Sequence, residues 1–279
     1  MLTTLGLYCL LDFTIIGGKF SLTPAVPVNK DNTIDYDGKP KIKALFTDGN
    51  INDLKISFLS PEDRQTFKAN VLYREEKLNG FPETKSTIIR LKGQEHEDDP
   101  IETYDMSGFC TSERHALDFA RHILSIREYT DHTINFKTAP HYINGVKPGD
   151  YIRVFSTTNH TSRFNNGAIL DDGKVVSKDT ITGSKDFYYW EPSKQVVKEA
   201  TVNFSNSSAV KAYAGTLFTI KETEKTDQCY KVESITFGED GLIDLSASYV
   251  KLTSDGTLAI LQGWASRFDR AGSRFVIED

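Results

Sequence analysis

The stretch Ser107–Phe155, SGFCTSERHALDFARHILSIREYTDHTINFKTAPHYINGVKPGDYIRVF, decides the fold. Thr111 carries a hydroxyl suited to accept from early helix amides, so it is the expected N-cap of a helix over 112–129. Ala116, Phe119, Ala120, Ile123 and Ile126 recur at helical spacing and trace one apolar stripe. Thr133–Thr138 and Tyr151–Ser156 instead alternate with period two, as strands that bury one face do. Pro148-Gly149-Asp150 between them is turn chemistry. The stretch contains no nucleophile motif, phosphate loop or metal spacing.

Working outward, most of the chain reads as β. Phe13–Leu22 is expected as one or two strands, bent at Gly17-Gly18. Lys41–Thr47 and Asp53–Leu59 flank the turn cluster Asp48-Gly49-Asn50. Ser60-Pro61-Glu62-Asp63 has the composition of a helix start, and Phe67 and Val71 fall four apart, which predicts a helix ending by Asn79-Gly80. Thr87–Leu91 is a further strand, and Gly93–Pro100 is a polar loop. Beyond the opening stretch, hairpin signals stand at Asp171-Asp172-Gly173 and at Gly238–Gly241, with strands at Phe187–Trp190, Val196–Phe204 and Thr216–Lys221. Ser254–Asp279 is weak in β signals and is expected to be an extended arm.

The expected fold class is therefore α+β, mostly β, with β-barrel modules and a few packed helices. The expected divisions are an N-terminal α+β module over 1–105, a barrel module over 106–250 that includes the helix, and a C-terminal arm over 251–279.

Composition bounds the function. Hydrophobic residues make up 38% and charged residues 26%, enough for both a core and a hydrated surface. A net charge of −6 without any Lys/Arg cluster argues against a protein whose main task is gripping phosphate backbones. Cys9, Cys110 and Cys229 are odd in number and far apart, which reads as free or buried thiols made in a reducing compartment. The apolar start, LGLYCLLDF, lacks a basic region before it and is interrupted by Asp12, so it reads as a strand, not a leader. No apolar run approaches the roughly 20 residues of a membrane helix.

Three groups invite a chemical reading. His115, Asp118 and His122 share one helix face and could converge on a metal, but Arg114, Arg121 and Arg127 lie beside them and no further ligand is evident. A solvated polar face without metal is the expectation. The acidic pairs Glu75-Glu76, Asp98-Asp99, Asp171-Asp172 and Glu239-Asp240 offer carboxylates, yet most lie in turns, where acids are common. Phe187–Trp190 is an aromatic run, but neighbours on a strand point to opposite faces, so packing is expected for at least half of it. No catalytic, cofactor or metal residues are assigned.

Five segments together resemble the tail-hub and tail-tip proteins of tailed bacteriophages, the group that includes host-specificity protein J. They are LDFTIIGGKFSLTPAVPV (Leu11–Val28), IKALFTDGNI (Ile42–Ile51), VLYREEKLNGFPET (Val71–Thr84), the Ser107–Phe155 unit with its KPGDYIRV ending, and CYKVESITFGEDGLIDLSAS (Cys229–Ser248). They occur in the family's order and cover a little under half of the chain. The resemblance implies a non-enzymatic β-barrel module at the distal end of a tail tube. It would self-associate in a ring, as a trimer or hexamer, and contact tube, tip and fibre proteins. DNA would pass through without specific binding, and an acidic net charge suits such a conduit. It further implies a virion protein made in the host bacterial cytoplasm, with no cofactor and no membrane partner. On this reading Leu5–Leu11 and Gln262–Asp279 should be buried by neighbouring copies, because both look too poor in local structure to hold themselves.

Two other classes stay open on the residues alone. One is a carbohydrate-binding β module of an adhesin, with Tyr188, Trp190 and Trp264 as stacking candidates. The other is a polysaccharide or cell-wall hydrolase built on a carboxylate pair.

Overall fold

A computed structural model describes residues 6, 8–16, 19–60, 65–76, 82–93, 99–156, 166–177, 181–191, 193–194, 196–205, 210, 212–220 and 228–275. In chain order the elements begin with β1 (Leu11–Ile16), β2 (Lys19–Pro24), β3 (Ile42–Thr47), β4 (Asn52–Phe58), β5 (Lys68–Glu76), β6 (Pro82–Leu91), β7 (Ile101–Asp105) and helix α1 (Glu113–Tyr129). There follow β8 (His132–Thr138), β9 (Tyr151–Phe155), β10 (Asn166–Ile169), β11 (Val175–Ser177), β12 (Ser184–Glu191) and β13 (Val196–Asn203). The last are β14 (Leu217–Ile220), β15 (Cys229–Phe237), β16 (Ile243–Tyr249) and β17 (Phe268–Phe275). The chain is α+β and mostly β, as its patterning implies.

Two compact units divide these elements, and they interleave along the chain. One takes 1–39, 59–131 and 253–279; the other takes 40–58 and 132–252. The boundaries expected near 105 and 250 are contiguous cuts. The compact units instead place α1 with the flanking segments and close with β17.

In the second unit, six strands pair in the order β3-β9-β15-β16-β8-β4. Alternate residues from all six meet in one core: Phe46, Ile152 and Val154, Tyr230 and Val232, Leu245, Phe136, with Leu54 and Ile56 against it. The edge strands β3 and β4 are joined directly by Asp48–Ile51, so the sheet must roll until its edges meet at that end. The turn is tied down by Thr47 N–H on Asn50 Oδ1 (2.7 Å) and Asn50 Nδ2 on Leu45 O (3.2 Å). The rolled sheet is barrel-like, but it draws β3 and β4 from before 106 and does not include α1.

The Pro148-Gly149-Asp150 turn has a structural task. Gly149 N–H donates to Val232 O (2.7 Å), and Val232 N–H donates to Asp150 O (2.9 Å). The Asp150 carboxylate accepts from Lys147 N–H (2.9 Å). Gly149 stands at φ +90°, a backbone region that a side chain disfavours. The turn thereby sets β9 beside β15, with Tyr230 opposite Ile152, and a bulge follows between Val232 and Ser234.

Residues 156–228 form an insertion between β9 and β15. Its ends are close, because Arg153 and Cys229 are register partners. The inserted sheet has the order β11-β10-β14-β12-β13 and its own core of Ile169, Phe187, Tyr189, Val202, Phe218 and Ile220. At Gly167 a Cβ would run into the Val176 carbonyl oxygen and the Phe218 ring, so only glycine fits there. The inserted sheet docks on the outer face of the rolled sheet through Tyr188, packed with Leu45 and Phe155. The Arg153 guanidinium lies 4.3 Å over the Tyr188 ring.

In the first unit, α1 packs on β5 and β6 of the sheet β17-β6-β5-β7. Phe119, Ala116, Ala120 and Leu124 fill a core with Phe67, Ala69, Val71, Tyr73 and Ile89. The β1–β2 hairpin pairs Ile16 with Lys19.

Several expectations are corrected. The predicted helix after Ser60 is strand β5 over its described part: Phe67, Ala69, Val71 and Tyr73 are all buried in alternation. A spacing of four keeps two residues on one face of a strand as well as of a helix, so Phe67 and Val71 could not separate the two. Residues 61–64 and 77–81 of that expectation lie outside the described residues. The two strands expected on either side of Gly17-Gly18 pair as β1 and β2, while Gly17-Gly18 itself lies outside the described residues. Helix α1 is preceded by Ser112, not Thr111, as N-cap, and no side chain caps it. The sheet it packs on, β17-β6-β5-β7, contains neither β8 nor β9. The buried stripe runs through Leu124, while Ile126 is exposed.

The ends differ too. Gly6 and Tyr8 are helical, not strand, and the Tyr8 ring meets Phe119 edge-to-face (5.1 Å) and Phe109 at a tilt (5.4 Å) within the same chain. Leu10 packs on the same core, while Leu5 and Leu7 lie outside the described residues. The expected arm supplies β17, which pairs with β6, and residues 276–279 lie outside the described residues. Within the chain, Trp264 and Phe268 are buried and Tyr8 and Leu10 pack on the first unit's core.

Two stability outcomes follow from this packing. Leu124→Ala should cost about 2–5 kcal/mol, whereas Ile126→Ala should stay within about 0.5 kcal/mol, both read by chemical denaturation. Gly149→Val should cost about 1–3 kcal/mol, because it forces a β-branched residue into a left-handed conformation; an unchanged denaturation midpoint would contradict the turn's role.

Candidate functional site

The polar face of α1 is covered, not solvated. His115 Nε2 lies 2.9 Å from the Tyr8 carbonyl oxygen. Asp118 Oδ1 accepts from the Trp264 indole N–H (3.0 Å) and from Arg121 (3.0 Å). His122 is buried, with its ring 6.5 Å from that of Trp264. His115 faces Tyr8 while Asp118 and His122 face Trp264, and no group of three His, Cys, Asp or Glu among the described residues is placed to hold a metal.

Arg267 reinforces the same face. Its guanidinium donates to Glu128 (2.9 Å), Ser125 Oγ (2.8 Å) and the Ile260 carbonyl (3.0 Å), and it bonds the Tyr129 hydroxyl. A planar five-donor fork can serve several acceptors at once, which a lysine could not. Burial pushes the Tyr129 hydroxyl above its ordinary pKa, so it stays protonated.

The acidic pairs are engaged locally. Glu75 pairs with Lys85, Asp99 accepts from Thr66 (2.9 Å), Asp172 pairs with Lys174 (2.7 Å) and Asp240 with Lys137 (2.7 Å). Asp98 lies outside the described residues. The Lys174 and Lys137 ammonium groups hold the Asp172 and Asp240 carboxyls below their ordinary range. A general acid needs the opposite shift. Cys110 is buried, and that burial pushes its thiol up, away from nucleophilic use.

The three aromatic candidates separate. Tyr188 is packed between the two sheets of the second unit. Trp264 is buried and committed to Asp118. Only Trp190 opens onto a cavity. That cavity holds about 300 Å³ and is lined by His141, Tyr142, Asn144, Trp190, Tyr213 and Thr216, over a floor that includes Leu45 and Leu217. The turn Pro140–Ile143 after β8 presents His141 and Tyr142, whose ring centroids lie 4.0 Å apart in a tilted arrangement. The loop before β14 presents Tyr213. Tyr142 is 40% exposed and Tyr213 61%. Asn50 also lines the cavity, but its amide is consumed by its own turn. Of these residues, sequence reading singled out only Trp190. The rest come from segments far apart in the chain, and no local pattern marks them.

A second hollow of about 190 Å³ lies beside Arg127. Its guanidinium is already taken by Glu102 and sits 4.1 Å over the Phe67 ring.

No family model matches the chain, and no curated protein does. Among solved structures, the chain is similar to one in the virion of a native gene transfer agent particle, with TM-score 0.46 and 11% identity over 92% of this chain and 40% of that one. It is also similar to the tail protein from Neisseria meningitidis MC58, with TM-score 0.34 and 11% identity over 78% of this chain and 51% of that one. The chain thus spans well under two thirds of the length of either.

Asp118→Ala should lower stability by about 1.5–3 kcal/mol, because it strips the acceptor from Trp264 and Arg121. Added zinc or a chelator should leave the melting temperature of the unaltered protein where it was. Stabilisation by zinc that Asp118→Ala abolishes would reverse this assignment.

Proposed function

We propose that the chain is a structural, non-enzymatic component of a bacteriophage-type tail. In this reading copies form a hub ring, a trimer or hexamer, at the distal end of the tail tube. The ring joins tip or fibre proteins and surrounds the path by which DNA leaves. The protein is made in the host bacterial cytoplasm and resides in the virion.

One observation carries this proposal. The hub-like segments at Ile42–Ile51, Ser107–Phe155 and Cys229–Ser248 are far apart in sequence, yet they supply β3, β9, β15, β16 and β8. Those are five consecutive strands of the rolled sheet. Scattered chance matches would have no reason to assemble into one contiguous module. The distant similarity to a virion chain and a tail protein is not what carries it.

The β1–β2 hairpin, also one of the resembling segments, supports self-association. A two-stranded hairpin is marginal in water by itself. This one leaves Phe20 69% and Leu22 50% exposed. A net charge of −6 suits a wall past which DNA must slide without sticking. Asp172 and Asp240 have lowered pKa values and lysine partners, which suits surface ion pairs better than hydrolysis.

Native mass spectrometry of the purified chain should show a trimer or hexamer, with an open ring in negative-stain images. Phe20→Asp combined with Leu22→Asp should dissociate it with little change in thermal unfolding, because both side chains are exposed within one chain. A wild-type chain that stays monomeric to its solubility limit would overturn the ring. Turnover of cell-wall or capsule polymer, lost on a single acid-to-amide change, would overturn the non-enzymatic reading.

A further inference from the structure

We propose that the aromatic cavity of the second unit is a binding site for a neutral saccharide. It lies where the inserted sheet meets the turns after β3 and β8. At about 300 Å³ it is at the small end of ligand sites, which span roughly 300–1,000 Å³.

The chemistry of the lining selects the ligand. Trp190 rests partly on Tyr188, Leu45 and Phe155, so its ring is held in place while part of it lines the cavity. Tyr142 and Tyr213 add two further aromatic surfaces that are largely open. Flat apolar faces of this kind match the C–H faces of a pyranose ring. The Trp190 indole N–H, the Asn144 amide and the Tyr142 and Tyr213 hydroxyls have no hydrogen-bond partner among the described residues. They offer both donors and acceptors, as a ring of hydroxyls requires. Lys, Arg, Asp and Glu are absent from the lining among the described residues. A phosphate or uronate would find no Lys or Arg there, only the His141 imidazole, and a cation would find no carboxylate.

The placement also fits a recognition role. The insertion leaves the rolled sheet at Phe155 and returns at Cys229, and Tyr213 and Trp190 both belong to it. The stretch of chain between the hub-like segments therefore supplies half of the cavity. This proposal does not depend on the tail assignment, since a saccharide site and a ring are read by different measurements.

The test uses the full chain and saturation-transfer NMR with neutral probes: glucose, galactose, N-acetylglucosamine and their disaccharides. Glucuronate and a proline-rich peptide serve as comparison ligands. The expected result is saturable binding of at least one neutral sugar, with transfer strongest to its C–H face. Tyr213→Ala and Asn144→Ala should each weaken that binding about tenfold. Both sites are exposed, so circular dichroism and melting should be unchanged. Tyr213→Phe should retain the stacking and lose less. Absence of binding to every neutral probe would overturn the proposal. So would sugar binding that survives both alanine changes, a preference for glucuronate, or selective binding of the peptide.

Discussion

Val232 is held from both sides by one turn: its carbonyl accepts from Gly149 and its amide donates to Asp150. These two bonds set β9 against β15, strands that are separated in sequence by the whole of residues 156–228. Closing so long a loop is an entropic cost that backbone pairing must offset. The Pro148-Gly149-Asp150 turn lowers that cost by presenting its donor and acceptor in fixed positions. With β9 and β15 in register, β3 and β16 take their places on either side, and the alternate residues of the sheet find one core. The same pairing fixes the two points between which the inserted sheet is strung.

Much of this fold was legible because period two is a local property. β3, β4, β8, β9, β12, β13, β15 and β16 all lie close to where alternation and turn residues put them. The errors came where local rules are degenerate or silent. Phe67 and Val71 satisfy both periods, and tertiary pairing with β6 and β7 chose the strand. β17 carries the sequence FDRAGSRF, with a bulge between Arg270 and Gly272, and has no alternation to betray it. Its existence depends on the edge that β6 offers. The polar face of α1 misled in another way. His115, Asp118 and His122 look hydrated in a helical projection, but Tyr8 and Trp264, from opposite ends of the sequence, supply their partners. The aromatic cavity was legible only at Trp190, because its other walls are brought together by the pairing of β9 with β15.

The inserted sheet and the rolled sheet obey different constraints. In the rolled sheet every strand contributes to one core, so a change of register in any strand would expose the apolar set of that strand. The insertion has its own core and enters and leaves at neighbouring residues. Its sequence can therefore vary without disturbing the closure of the rolled sheet, provided that Tyr188 still meets Leu45 and Phe155. The segments that resemble tail-hub proteins stop at Phe155 and resume at Cys229, which is where these constraints change.

The interleaving of the two units governs the order in which the chain can fold as it is synthesised. The polypeptide passes from one unit to the other after Lys39, Phe58, Asp131 and Leu252. β6 leaves the ribosome early, but the strand that covers its outer edge, β17, emerges only after the entire second unit. Until then β6 presents an unpaired row of amides and carbonyls, the kind of edge on which nascent chains aggregate. The second unit, bracketed by these passages, must mature while the first is still open. A product lacking 268–275 would thus keep α1 and β5 but carry an unpaired β6 edge open to non-native pairing.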